Sequence, residues 1–219
     1  KIDSAYKQAK LAYYKLPDHK THFTLMMDLI EYKKDSLELE KAFKSIKKPM
    51  RKNLERRYLE TAFRLKDSIG ISERNIISNL KNKDRNSFNI FNTILNVGKE
   101  NVRQGYYKSL EAEKLFSEGN YIEAGNKFLE ASKFNPDEKS YIENSGNAFM
   151  QGNEYSLAID ILSNYLEEYD PSNGKAENLI AISYLGLSDF PNACLFFEKA
   201  SQKSFIVRKE ILERFCNSD

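Results

Sequence analysis

Tyr121, Tyr155 and Phe190 stand 34 and then 35 residues apart, and the same interval returns in three parallel columns. Ala124, Ala158 and Ala193 form one column, Phe128, Leu162 and Phe197 a second, and Ala131, Tyr165 and Ala200 a third, its middle member oversized. Columns held in register mark one supersecondary unit used again and again, which cannot bury its apolar face alone and must stack on copies of itself. Pro136 and Pro171 follow the first two units where a helix has to stop. Nine Gly and five Pro among 219 residues are too few for a sandwich or barrel with a turn every ten or so positions. The expected fold class is therefore all-α. No apolar run reaches the roughly 18 residues of a membrane-spanning helix.

The run Gly119, Tyr121, Ala124, Phe128, Ala131 and Pro136 resembles the second-helix pattern of the tetratricopeptide repeat (TPR) family. Gly146, Phe149, Tyr155 and Ala158 resemble the next repeat, and Ala181, Tyr184, Phe190, Ala193, Phe197 and Ala200 a third. The chain departs from the family in having no Trp, in Lys108 where a bulky residue is usual, and in lacking a closing Pro in the last repeat. The resemblance implies a solenoid of about three helical hairpins in residues 99–219, with a capping helix over Phe205–Cys216. It also implies that the first helix of each hairpin lines a groove. Tyr106, Ser109, Glu113 and Phe116 would come from the first repeat, Glu143, Asn147 and Met150 from the second, and Lys175, Asn178, Ile182 and Leu185 from the third. Glu113 and Glu143 stand where members that clamp a terminal carboxylate carry cations, so the implied partner is a protein or peptide, basic or apolar in the contacted segment, with no small-molecule substrate.

Residues 1–98 read as a separate basic α-helical domain. Residues 1–110 hold 24 Lys+Arg against 13 Asp+Glu, whereas 111–219 hold 10 against 19. Apolar residues recur at helical spacing in Phe23, Met26, Met27 and Ile30, then Leu39, Phe43 and Ile46, then Leu54, Tyr58, Ala62 and Leu65. Breaks at Pro17-Asp18, Lys33–Asp35, Pro49 and Ile69–Ile71 predict four or five helices. Ala5, Ala12 and Pro17 copy the spacing of Ala124, Ala131 and Pro136, which suggests a degenerate repeat, and Gly98 and Gly105 flank the entry to the repeat array, which predicts a joint near 98. Lys47, Lys48, Arg51, Lys52, Arg56 and Arg57 form a candidate patch for an anionic membrane surface. Residues 72–97 also admit a helix-turn-helix reading with Lys81, Lys83 and Arg85 near phosphates, but Phe88, Ile90, Phe91, Ile94 and Leu95 make its second helix look buried, so nucleic acid is a poor partner.

Catalytic chemistry leaves little trace. His19 and His22 are the only histidines and lack a third ligand, so a surface pair is expected rather than a metal site. There is no phosphate-binding glycine loop and no nucleophile elbow, so neither enzyme activity nor a cofactor is expected. Cys194 and Cys216 form no CxxC pair and read as two core thiols. The chain opens on Lys1, so removal of an upstream segment, with any signal peptide or lipid-attachment cysteine, is expected. Its Lys/Asn/Ile-rich composition is similar to that of spirochaete and other AT-rich bacterial TPR proteins, some of them envelope lipoproteins, which favours the cell envelope over the cytoplasm.

Overall fold

Apolar residues spaced by three and four along nearly the whole chain yield thirteen helices and no strand among the described residues. The structure is a computed structural model that describes residues 2–47, 54–66 and 68–216, and it divides into two units, Lys1–Lys99 and Glu100–Asp219. Among the described residues, no helix is long and apolar enough to cross a membrane.

The first unit comprises α1 (Ile2–Lys15), α2 (Lys20–Lys33), α3 (Ser36–Lys44), α4 (Glu55–Leu65), α5 (Ile71–Leu80) and α6 (Arg85–Val97). Among the described residues that is six helices rather than four or five, because the capping Asp84 starts α6 afresh after a short turn, its carboxylate accepting from the Ser87 N–H at 3.0 Å. Breaks fall at Pro17-Asp18, at Lys34-Asp35 and before Ile71; Pro49 lies outside the described residues. α2 packs on α1, α3 and α4, and α5 packs on α6. Phe23, Met26, Met27, Ile30, Leu39, Ala42, Leu59 and Ala62 are wholly buried at the centre. Ala5 and Ala12 are exposed, and among the described residues of α1 the buried one is Tyr13, so neither alanine makes the small-residue contact that a repeat would need there.

Buried carboxylates tie these helices together. Glu73, at 1% exposure, accepts from the Tyr58 hydroxyl at 2.5 Å, from Lys66 Nζ at 2.7 Å and from the Gly70 N–H at 3.1 Å. A single carboxylate thereby caps α5 and pins it to α4. Glu38 plays a matching part between α1 and α3, accepting from Lys10 and from Tyr14, each at 2.5 Å.

The second unit is a solenoid of helical hairpins. Its hairpins are α7 (Lys99–Ser117) with α8 (Tyr121–Phe134), α9 (Ser140–Gln151) with α10 (Tyr155–Tyr169), and α11 (Lys175–Gly186) with α12 (Phe190–Gln202); α13 (Lys209–Phe215) closes the chain. Each helix from α8 to α12 packs on the next, and α9 also packs on α11, so the first helices of the second and third repeats lie side by side. Three of the four sequence columns are packing columns, the opening one of Tyr121, Tyr155 and Phe190 being only partly buried. Ala124, Ala158 and Ala193 are fully buried, as are Leu162, Phe197, Ala131 and Ala200, with Phe128 at 4% and Tyr165 at 6%. Closeness is bought at Gly146, where a Cβ would lie 2.4 Å from Leu162 Cγ.

Gly105 sits inside α7 against Ala131 and Asn135, a close approach of two helices. Cys194 and Cys216 are not separate core thiols but a disulfide, Cα–Cα 5.5 Å, joining α12 to the end of α13. Twenty-two residues separate them in sequence, a spacing that reveals no pairing until α13 folds back over α12. The cap itself is shorter than Phe205–Cys216. Val207, Ile211, Leu212 and Cys216 rest on Ala181, Ala193 and Phe197, while Phe215 stacks on Phe190 at 5.5 Å.

Candidate functional site

The helical register places equivalent residues of α7, α9 and α11 in rows across the stack, and two contacts show the rows in register. Lys175 at the start of α11 reaches back to Glu143 of α9, Nζ to Oε1 2.6 Å. Glu113 and Phe116 of α7 share a cavity of about 200 Å³ with Asn144 and Asn147 of α9 and with Phe128 of α8. Among the described residues, Glu113, Asn144 and Asn147 have no side-chain hydrogen bond or ion pair, so their polar atoms are available to a ligand. Phe116 is held edge-on by Tyr121 at 5.1 Å, which fixes the apolar wall of the cavity.

The eleven groove positions divide into three kinds. Glu113, Phe116 and Asn147 meet in the cavity. Tyr106 is 54% exposed, and Asn178, Ile182 and Leu185 are half-buried on α11. The other four are engaged in the fold. Ser109 is 4% exposed and donates to the Tyr106 carbonyl at 2.9 Å, Met150 is 7% exposed in the core between the second and third repeats, and Glu143 is 7% exposed and neutralised by Lys175. Burial follows from the tight crossing of α9 over its neighbours, which turns positions that would face a wider groove into the seam between repeats. Asn144 was missed because it lies one residue beyond the groove row. Its signal is the i, i+3 spacing to Asn147, which puts both amides on one helical face.

Glu177, at 2% exposure, takes Lys203 Nζ at 2.5 Å within the third hairpin, and the same ammonium reaches Asp170 at the end of the second. Burial pulls the Lys203 ammonium down, but the hydrogen bonds it donates to Asp170 and Glu177 outweigh it and the net shift is upward.

The basic patch is not a bare positive field. Lys48, Arg51 and Lys52 lie outside the described residues. Lys47 sits 3.8 Å from Asp18, Arg56 3.0 Å from Glu60, and Arg57 pairs with Asp28 as well as with Glu31 and Glu60. In α6 only Ser87 and Phe91 are buried and Ile90 is 54% exposed, so the helix is less enclosed than its composition suggested. His19 and His22 bring their rings to 4.6 Å, and among the described residues no group of three His, Cys, Asp or Glu side chains is placed to hold a metal.

No family model matches this chain, and no curated protein matches it. Among solved structures it is similar to the TPR2AB-domain:pHSP90 complex of yeast Sti1, at 16% identity and a TM-score of 0.43 over 97% of this chain and 88% of that one. A likeness that loose adds no weight, and the solenoid reading rests on the hairpin packing.

Proposed function

We propose that the chain is a non-catalytic scaffold that holds a segment of a partner protein, basic or apolar where it touches, on the first-helix face of its repeat stack. The observation that carries this reading is the cavity where Glu113 and Phe116 of one repeat meet Asn147 of the next. Recognition groups contributed by successive repeats form a surface that exists before the ligand arrives, so the ordering cost falls on the ligand alone.

The test is a peptide-display selection against the full chain, followed by Asn147→Arg and Leu185→Arg with Glu123→Arg on a second helix as control. Selected peptides should bind the two first-helix variants at least about tenfold more weakly, with helical circular dichroism intact. Equal binding to all three variants rejects the groove. Anionic-surface binding by the basic unit has less support, since each described member of its patch already has an acidic neighbour. The Cys194–Cys216 bridge supports a place in an oxidising compartment such as a bacterial envelope.

A further inference from the structure

The cavity between the first two repeats has a chemistry narrower than a general peptide groove. Its lining comprises two phenyl rings, two carboxamides and one carboxylate, with no cation. Glu113 is exposed and, among the described residues, makes no ion pair, while the groove's other acid, Glu143, is already matched to Lys175. The cavity therefore carries an uncompensated negative charge beside aromatic surface, with amide oxygens free to accept.

We infer that this cavity is a binding site for an arginine side chain presented by the partner. The proposal deepens the scaffold reading and rests on it. A guanidinium has five N–H donors in one plane and no acceptor, and its faces are weakly hydrated. Glu113 takes two of the donors, the Asn144 and Asn147 carbonyl oxygens accept others, and the planar face and aliphatic stem lie against Phe116 and the accessible edge of Phe128. Lysine satisfies the charge but offers three donors around a point, with no plane to set on a ring, so it binds less well. A carboxylate-bearing residue is repelled by Glu113. A purely apolar side chain buries the two amides without partners, which disfavours it.

The experiment uses the full chain and two small probes, N-acetyl-arginine amide and its neutral isostere N-acetyl-citrulline amide, followed by amide and side-chain NMR shifts. Arginine amide should perturb Glu113, Phe116 and the Asn144 and Asn147 side-chain amides, weaken with added salt, and bind Glu113→Gln roughly tenfold less tightly, as loss of a charged hydrogen-bond acceptor predicts. Citrulline amide should leave these signals in place. Equal shifts from both probes, arginine shifts elsewhere on the chain, or unchanged binding to Glu113→Gln would overturn the assignment.

The failure of this proposal is distinguishable from failure of the groove. Displayed peptides that lose affinity in Asn147→Arg yet contain no arginine, and bind Glu113→Gln as well as the natural chain, leave the groove standing and remove the arginine site. Peptides indifferent to Asn147→Arg remove both.

Discussion

Lys175 Nζ of the third repeat lies 2.6 Å from Glu143 Oε1 of the second, and the Glu143 side chain is 9% exposed whereas the Lys175 side chain is 44% exposed. The pair is lopsided: the acid has left water, and the base reaches in from the rim to neutralise it. Its work is to hold two hairpins in register. A cation at this place in the groove is consequently unavailable to any ligand.

The lopsidedness sets the effect of breaking it. Lys175→Met leaves a buried carboxylate without a cation and should destabilise the unit by about 1–2 kcal/mol, below the 3–5 kcal/mol of a fully buried pair because the lysine is solvated. Glu143→Gln should cost less, since a neutral amide tolerates the site. Urea unfolding of both single variants and the double variant gives the coupling. A double variant as unstable as the sum of the two would show no interaction.

Gly146 presses on Leu162 so closely that a Cβ would meet Leu162 Cγ at 2.4 Å, Cδ2 at 2.6 Å and Cδ1 at 2.9 Å. Alanine has the better helix propensity, by about 0.8–1 kcal/mol. Steric conflict should nonetheless win, with Gly146→Ala losing about 1–3 kcal/mol as α9 and α10 are forced apart. Thermal unfolding decides the sign: a higher Tm in Gly146→Ala would mean that the two helices adjust freely.

How much of this was legible beforehand depends on the range of the interaction. The columns from Tyr121 to Ala200 could be read because repetition multiplies a weak local pattern, and every small member but the oversized Tyr165 proved to be a wholly buried alanine. Groove residues were harder, because one helical face carries both seam and surface. Glu113 and Glu143 have the same residue type, yet one is open and the other is sealed by Lys175, a partner 32 positions away. Cys194 with Cys216 and Glu73 with Tyr58 are likewise settled by how helices cross. No spacing in the sequence records that crossing.

The disulfide closes a loop of 22 residues around a cap whose own helix buries no residue fully. Loop-closure entropy for such a length corresponds to about 3 kcal/mol. Cys194→Ser with Cys216→Ser, or reduction of the natural chain, should therefore release α13 before the rest of the stack unfolds. Hydrogen exchange should show lost protection in 209–215 and along α12, with α9 and α10 unchanged. Protection in 209–215 that survives reduction would mean that Ile211 and Leu212 suffice to hold the cap.

The Glu73 cluster makes the first unit sensitive to pH at both ends. Burial pushes the Glu73 carboxyl up, but hydrogen bonds from Lys66 and Tyr58 outweigh it and hold the group below its ordinary 4.5. A folded value below the unfolded one gives stability that is complete above about pH 4.5 and is lost as pH falls through the folded value. On the alkaline side burial lowers the Lys66 ammonium, yet Glu73 and Glu40 raise it to a net value above 10.5, while burial and Glu73 push the Tyr58 phenol up from 10.0. Unfolded chains release both protons first, so stability falls as pH rises beyond about 10. Glu73→Gln removes the charge at the centre of all three shifts. At pH 7 it should be less stable than the natural chain by about 1–3 kcal/mol, the cost of weakening a buried charged hydrogen-bond network. Its stability should then vary less between pH 5 and pH 3 and between pH 9 and pH 11. Urea midpoints of the first unit's transition across those intervals check the claim, and parallel pH profiles for the two proteins would place the titrating groups elsewhere.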